Sequence, residues 1–362
     1  MDFAIVGVPQ SGKTTLFNAL TAGHGSAAGE SGRGQELLGT VKVPDERLEK
    51  LAVLVGAKKV TPIEIRLHDL PAVFHKGAGP SGTASETIAR ADALLHVVRD
   101  FDRPDAPHPE GSVDPARDVA AFDSELLFFD LGVVERRVDK LDITVRSAKP
   151  GEREAGEREK ALLLRVKSEL ESDRPLRNVI TDPADVKALG NYGFLSLKPM
   201  LLVVNIGEDK VSDQEAIASD WQSRMGAERT RATAICTKLE AELAELPDDE
   251  AAEFRREMGA PEGGTDVVLG AARELLGLVT FFTAGEKDTH AWTVPEGASA
   301  LQAAGRIHTD IERGFIRAEV IAWDKLLEFG THAEARKHGQ LRQEGKTYVV
   351  QEGDVINVLF NV

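Results

Sequence analysis

Gly7-Val8-Pro9-Gln10-Ser11-Gly12-Lys13-Thr14 decides the fold of this chain. The stretch is a complete G-x-x-x-x-G-K-[ST] phosphate loop, with an apolar strand run, Phe3-Ala4-Ile5-Val6, before it and an amphipathic helix predicted over 13–22 after it. In such a loop the main-chain N–H groups of a glycine-rich turn wrap a phosphate chain. Lys13 neutralises the β and γ oxygens and the Thr14 hydroxyl ligates Mg²⁺. Pro9, Gln10, Ser11, Gly12 and Thr15 complete the phosphate-binding candidates, and the helix turns its positive N-terminal end to the same anion. The flanking strand and helix are the context that separates this motif from a chance glycine turn.

Outward from the loop, β and α signals alternate: strand 2–7, helix 13–22, strand 62–68, helix near 82–91, strand 93–98. That order predicts a parallel sheet with helices on both faces. Gly23 to Gly39 is rich in Gly, Ser and Ala and is expected to be a mobile loop. From Arg117 to about Ser172 the pattern changes. Leu127, Leu131, Val134, Val138, Leu141 and Val145 follow heptad spacing, Lys149-Pro150-Gly151 breaks the run, and Leu162, Val166 and Leu170 resume it. An antiparallel helical hairpin inserted in the α/β domain is expected. The α/β pattern returns with a strand over 199–205, a helix near 213–224, a strand over 229–236 and helices around 238–257 and 264–277. Beyond Gly277 short β-branched and aromatic runs predict a small α+β domain.

Composition narrows the function classes. The 362 residues carry 44 basic and 60 acidic side chains, a net charge of −16, which disfavours non-specific binding to nucleic acid or an anionic membrane. Any RNA contact would need a local basic patch. A single cysteine, Cys236, excludes an intrachain disulfide. No apolar run reaches the length of about 18 residues that spans a membrane, and no leader pattern precedes the first strand, so a cytoplasmic protein without membrane contact is expected.

The strand over 199–205 ends in Asn205-Ile206-Gly207-Glu208, where guanine-specific switch proteins show N-K-x-D. Their aspartate accepts two hydrogen bonds from guanine, from N1–H and the exocyclic amine. A longer carboxylate at Glu208 and the absence of the stacking lysine remove the reason to prefer guanine. Asn205, Ile206 and Glu208 are therefore base-loop candidates. Cys236-Thr237-Lys238, after the next strand, stands where related proteins contact the base with main-chain N–H groups, so Cys236 and Thr237 join them.

Here the chain resembles the YchF family, the Obg-like ATPases. Val43-Pro44-Asp45-Glu46-Arg47-Leu48, Glu110-Gly111-Ser112-Val113-Asp114-Pro115 and Asn205 to Glu208 look like its signatures. Phe281 to Lys287, Ala291-Trp292-Thr293, Gln302 to Asp310, Gly314 to Val320 and Gln351 to Ile356 are similar to its terminal TGS domain. The resemblance covers essentially the whole chain. It implies an α/β phosphate-loop NTPase domain (1–116 and 197–277), an inserted helical coiled-coil hairpin (117–196) and a small α+β ubiquitin-like TGS domain (278–362). It further implies ATP in preference to GTP and ribosome association; with it go the expectations of Mg²⁺ at the phosphate loop, ribosome or RNA contact through the TGS domain and hairpin, and a monomer.

Three departures stand out. The family's first switch carries P-F-C-T, whose threonine helps hold Mg²⁺ and the γ-phosphate; here Ala27 to Glu36 contains no threonine, and the position falls near Arg33. The family's D-x-A-G appears as Asp69-Leu70-Pro71-Ala72. Asp69 can still orient Mg²⁺ through water and, with Lys13, is the catalytic candidate, but Ala72 lacks glycine's backbone freedom and Pro71 offers no N–H. Gln10 replaces an asparagine at a position that bears on a monovalent cation. Val73 stands where a Ras-like protein places its water-orienting glutamine, a lack that the resemblance implies is normal. His68 and His96 lie on strand patterns and read as satisfied structural side chains, while His75 and Lys76 read as solvated loop. Three functions compete: a slow ATPase, a nucleotide-bound adaptor with little turnover, and an ordinary GTPase, against which Glu208 argues.

Overall fold

The computed structural model describes residues 1–28, 36–70, 74–75, 79–80, 83–147, 149–226 and 229–361. Two compact units emerge, Met1–Val41 with Arg66–Leu275, and Lys42–Ile65 with Leu276–Val362.

The first unit is built on a seven-stranded sheet. From one edge its order is Thr230–Ile235, Met200–Ile206, Ala93–Asp100, Asp2–Val6, Ile63–Asp69, Leu37–Val43 and Gly25–Ala28. Asp2–Val6 pairs in parallel with both neighbours, Phe3 opposite Leu67 on one side and Ala93 on the other. Met200–Ile206 is parallel to Ala93–Asp100 and Thr230–Ile235. Every residue of Met200–Ile206, and Ala93 through Arg99, is buried, which is why these strands read as continuous apolar runs rather than alternating ones. Helix Thr83–Arg90 and the root of Pro115–Ser147 pack onto the sheet through Ile88, Phe122 and Leu126, joined by Leu195 from the segment before Met200–Ile206. Trp221, Leu239 and Leu243 cover it from Gln214–Met225 and Thr237–Leu243. The glycine-rich stretch expected as a loop differs in part: Gly25–Ala28 pairs antiparallel with Leu37–Val43, Gly25 opposite Val41. The helical run predicted over 238–257 is broken before Asp248 by Pro247, giving two helices.

Pro115–Ser147 and Pro150–Glu171 form the expected hairpin, turned at the predicted break, where Glu152 receives the Lys149 main-chain N–H. Leu127, Val134, Leu141, Val166 and Leu170 are buried, with Leu131 and Val138 packed against them. On the second helix Leu163 takes the fully buried position and the predicted Leu162 sits beside it, partly buried. Lys167 pairs with Glu135 at 2.9 Å and Arg137 with Glu159 at 2.6 Å across the two helices. Among the described residues no helix is long and apolar enough to cross a membrane.

In the second unit six strands run in the order Arg342–Glu344, Phe315–Ala322, Asp354–Phe360, Leu278–Ala284, Thr289–Pro295 and Val60–Thr61. Leu278–Ala284 is parallel to Asp354–Phe360 and antiparallel to Thr289–Pro295. Helix Ala300–Ile307, started by a Ser299–Gln302 capping box, buries Ala300, Ala303 and Ala304 against Phe281, Val320 and Ile356. The 42–65 segment, which the sequence reading places within 1–116, packs here. Val60 pairs with Thr289, and the family signature acquires a physical role. Asp45 caps helix Glu46–Val55, while Arg47 reaches Glu352 at 2.7 Å and lies 5.2 Å over the Phe282 ring.

His96 is structural but not satisfied. It is fully buried in Ala93–Asp100 and stacks on Phe122 at 4.0 Å, and neither ring nitrogen has a hydrogen-bond partner. Burial, with Arg177 and Lys13 adding repulsion, pushes its pKa down from 6.5 to about 3. Neutral His96 therefore stabilises the fold above the unfolded pKa, and that contribution is lost as pH falls from 6.5 towards 3. His96→Phe keeps the aromatic stack and removes the titration. The stability gap between variant and wild type should widen by about 2 kcal/mol from pH 7 to pH 5. Urea unfolding at both pH values checks this; a gap independent of pH would show that the ring does not titrate as its burial requires.

Candidate nucleotide site

The phosphate loop leaves Asp2–Val6 at Gly7 and enters helix Lys13–His24. Its backbone explains two of its residues. Gly7 and Gly12 hold φ of 143° and 99°. A Cβ at Gly7 would lie 2.3 Å from the Val97 carbonyl oxygen, and one at Gly12 would lie 2.1 Å from Asn205 Nδ2, so neither position admits a side chain. Gln10 has φ 63°, a left-handed conformation that asparagine adopts more readily than glutamine. Pro9 is exposed on the outer turn, Ser11 is buried, and Thr15 lines the cleft described below.

Lys13 folds back over the loop, its Nζ donating to the Gly7 and Val8 carbonyls at 2.9 and 3.0 Å. Burial lowers its pKa to about 8, against the pull of Asp69. Asp69, at the C-terminal end of Ile63–Asp69, accepts the Thr14 hydroxyl at 2.7 Å through Oδ2. Burial raises the Asp69 pKa. Both shifts have one cause: the site is short of solvent, so each charge lacks hydration. Asp69 Oδ1 and Ser11 Oγ are buried without a hydrogen-bond partner. Unpaired buried oxygens cost free energy. The Thr14 hydroxyl and the Asp69 carboxylate stand together as hard oxygen donors of the kind that suits Mg²⁺.

Asn205 ties this loop to Thr237, one of the base-loop candidates. Its Nδ2 donates to the Ser11 carbonyl at 2.9 Å and its Oδ1 accepts the Thr237 N–H at 3.1 Å. The Thr237 N–H is thus engaged by Asn205 rather than turned to the cleft. Gln10, Gly12, Thr15, Ile206, Glu208, Cys236 and Thr237 are brought together around a cleft of about 800 Å³. Glu208 carries the longer carboxylate, and Lys238 draws it aside at 2.6 Å. Cys236 is buried, and burial raises its thiol pKa, which leaves it a poor nucleophile.

Sequence reasoning missed one wall of the cleft, Phe101, Asp102, Arg103, Asp105 and Ala106. The available signal was position: the segment follows the C-terminal end of a parallel strand, where open α/β sheets bind ligands. Just beyond it His108 Nε2 bonds Asp118 Oδ2 at 2.8 Å and Arg117 reaches Asp118 Oδ1 and the Ser112 carbonyl, which gives the Glu110-to-Pro115 signature its ordered turn. His68 Nδ1 meets Glu36 at 2.6 Å, a structural pair. The first-switch stretch over 29–35, with Arg33, and Pro71, Ala72, Val73 and Lys76 lie outside the described residues, and for His75 only the backbone is described.

Residues 2–128 match the family model described as 50S ribosome-binding GTPase, and residues 278–361 match a YchF C-terminal family model described as a protein of unknown function. The chain is 40% identical over 365 residues to the ribosome-binding ATPase YchF of Bacillus subtilis (strain 168), covering 99% of this chain and 98% of that protein. It is 37% identical to the protein of the same name from Escherichia coli O157:H7, with the same coverage. The solved structure of the Schizosaccharomyces pombe YchF GTPase superposes with a TM-score of 0.84 at 28% identity, covering 99% of this chain and 97% of that one. With a phosphate loop, a hairpin insert, a distinct C-terminal unit and relatives matched from end to end, the chain belongs to the YchF family.

Proposed function

We propose that this protein binds ATP in preference to GTP, with Mg²⁺, hydrolyses it slowly, and associates with the ribosome. The observation that carries the nucleotide reading is the Asn205 bridge, which sets the phosphate loop and the base loop around one cleft. In this reading the loop N–H groups of Gln10 to Thr15 hold the phosphates, and Lys13 exchanges its two loop carbonyls for phosphate oxygens. Phe101, half-buried on the lining of the cleft, offers the base an apolar face. Thr14 and Asp69 would hold Mg²⁺, which would supply neutralisation of the phosphate charge. Ribosome association rests on the names of the relatives, since the net charge of −16 gives no general attraction to RNA.

Slow turnover follows from the sequence of the switches. Ala27 to Glu36 holds no threonine, Pro71 has no N–H and Ala72 is not glycine, so groups that sense the γ-phosphate are missing while the ground-state contacts of Gly7 to Thr15 persist. The same departures favour a second reading, a nucleotide-bound adaptor with little turnover. Multiple-turnover phosphate release separates the two. The ATPase reading expects slow release from the isolated chain, slower than in relatives that keep the switch threonine and the glycine, and faster release with ribosomes. Restoring glycine at Ala72 together with a threonine-bearing first switch should raise the rate with little change in ATP affinity. ATP that binds yet stays intact with and without ribosomes would establish the adaptor instead.

A further inference from the structure

We infer that Arg99 is the positioning residue of the base-binding wall, a buried staple that holds Phe101 to Ala106 in the shape a nucleobase requires. The inference rests on the proposed nucleotide reading of the cleft and assigns a role to a side chain that does not line it. Arg99 is, with Arg177, one of the two largest fully buried side chains among the described residues, 1% exposed, near the C-terminal end of Ala93–Asp100. A buried guanidinium demands a reason, because its five N–H groups must be matched away from water. Here main-chain carbonyls of the wall supply the match. Nε donates to the Phe101 carbonyl at 3.0 Å and a terminal nitrogen donates to the Ala106 carbonyl at 2.8 Å.

The two bonds close the segment from Phe101 to Ala106 onto one rigid group. The guanidinium also lies 4.7 Å from the centre of the Phe101 ring, so the residue that fixes the loop backbone backs its aromatic side chain as well. Besides this staple the wall is held by a turn, the Ala106 N–H donating to the Arg103 carbonyl at 3.1 Å, while Arg103 and Asp105 pair with each other at 2.8 Å in solvent, and such pairs fix geometry weakly. Arg99 also stands opposite Asn205 in the strand register, and Asp100 opposite Ile206. The staple of the wall and the bridge between the phosphate and base loops therefore occupy one cross-strand pair. A lysine could not replace this arrangement, since one ammonium cannot reproduce the fixed fork of Nε and terminal nitrogen.

A wall that stacks on any base contributes affinity without choosing between bases. Arg99→Met should therefore weaken ATP and GTP by the same factor, roughly ten-fold, and leave their ratio unchanged. Inorganic tripolyphosphate, which has phosphates and no base, should bind Arg99→Met and wild type equally. Phe101→Ala should reproduce the loss, and the double variant should lose little more than either alone, because both act through the same ring. Titration calorimetry of the full-length chain with the three ligands, beside a melting curve for each variant, reads all of this. Undiminished ATP affinity in Arg99→Met overturns the assignment. Equal losses for ATP and tripolyphosphate also overturn it, by showing a general collapse of the sheet edge. Failure of the nucleotide reading looks different: wild type would then bind neither ATP nor tripolyphosphate.

Discussion

Lys13→Ala is expected to weaken ATP by at least about 100-fold while leaving the folded chain nearly as stable as before. Two charge-assisted bonds to phosphate oxygens are worth about 1.5–3 kcal/mol each, so their joint loss spans roughly two to four decades of affinity. The small cost to stability follows from where Lys13 sits. Only 8% exposed, it spends its Nζ on two carbonyls of its own loop, and burial has already pulled its pKa down to about 8. A desolvated cation contributes little to folding, and its removal should shift unfolding by no more than about 1 kcal/mol. Titration calorimetry and urea unfolding of the same preparation measure both numbers. Unchanged affinity would mean that the phosphates are bound elsewhere, and a collapse in stability would mean that Lys13 serves the fold first.

Where local pattern and tertiary environment agree, the residues announce their structure. The strand before Gly7 and the helix after it are legible because an apolar run, glycines at positive φ and an amphipathic period meet within about twenty positions. The hairpin is legible because heptad spacing and the Lys149-Pro150-Gly151 break have one reading. The edge strand Gly25–Ala28 was hidden by its own composition, since its strand character comes from pairing with Leu37–Val43 rather than from propensity. The placement of 42–65 was equally hidden. It depends on Val60 meeting Thr289 and on Arg47 meeting Glu352, contacts between residues far apart in the chain.

The candidate site divides along the same line. Lys13, Thr14, Asp69 and Asn205 could be named in advance because their motif fixes their geometry. The wall from Phe101 to Ala106 could not, since its order derives from one buried guanidinium whose partners are main-chain atoms and leave no mark in composition. His96 shows the reverse error: a strand histidine among apolar neighbours suggests a satisfied side chain, yet the surrounding Phe122 ring supplies contact without a donor or acceptor.

Preference for ATP is the second large effect expected, and it rests on what Glu208 does. Guanine recognition at this position needs a carboxylate free to accept from N1–H and the exocyclic amine. Glu208 is instead one carbon longer than the aspartate of guanine-specific proteins and is paired with Lys238 at 2.6 Å. Binding guanine would require breaking that pair and folding back the extra methylene, while adenine, which has no N1–H, asks for neither. Ile206, in place of the stacking lysine, is packed into the core and offers no group that distinguishes the two purines. The net expectation is an ATP affinity at least ten-fold above that for GTP, about 1.4 kcal/mol. Competitive titration of the full-length chain with both triphosphates in the presence of Mg²⁺ tests the account most directly. Displacement by ATP at ten-fold lower concentration than GTP is the predicted result; a GTP affinity ten-fold above that for ATP would contradict it.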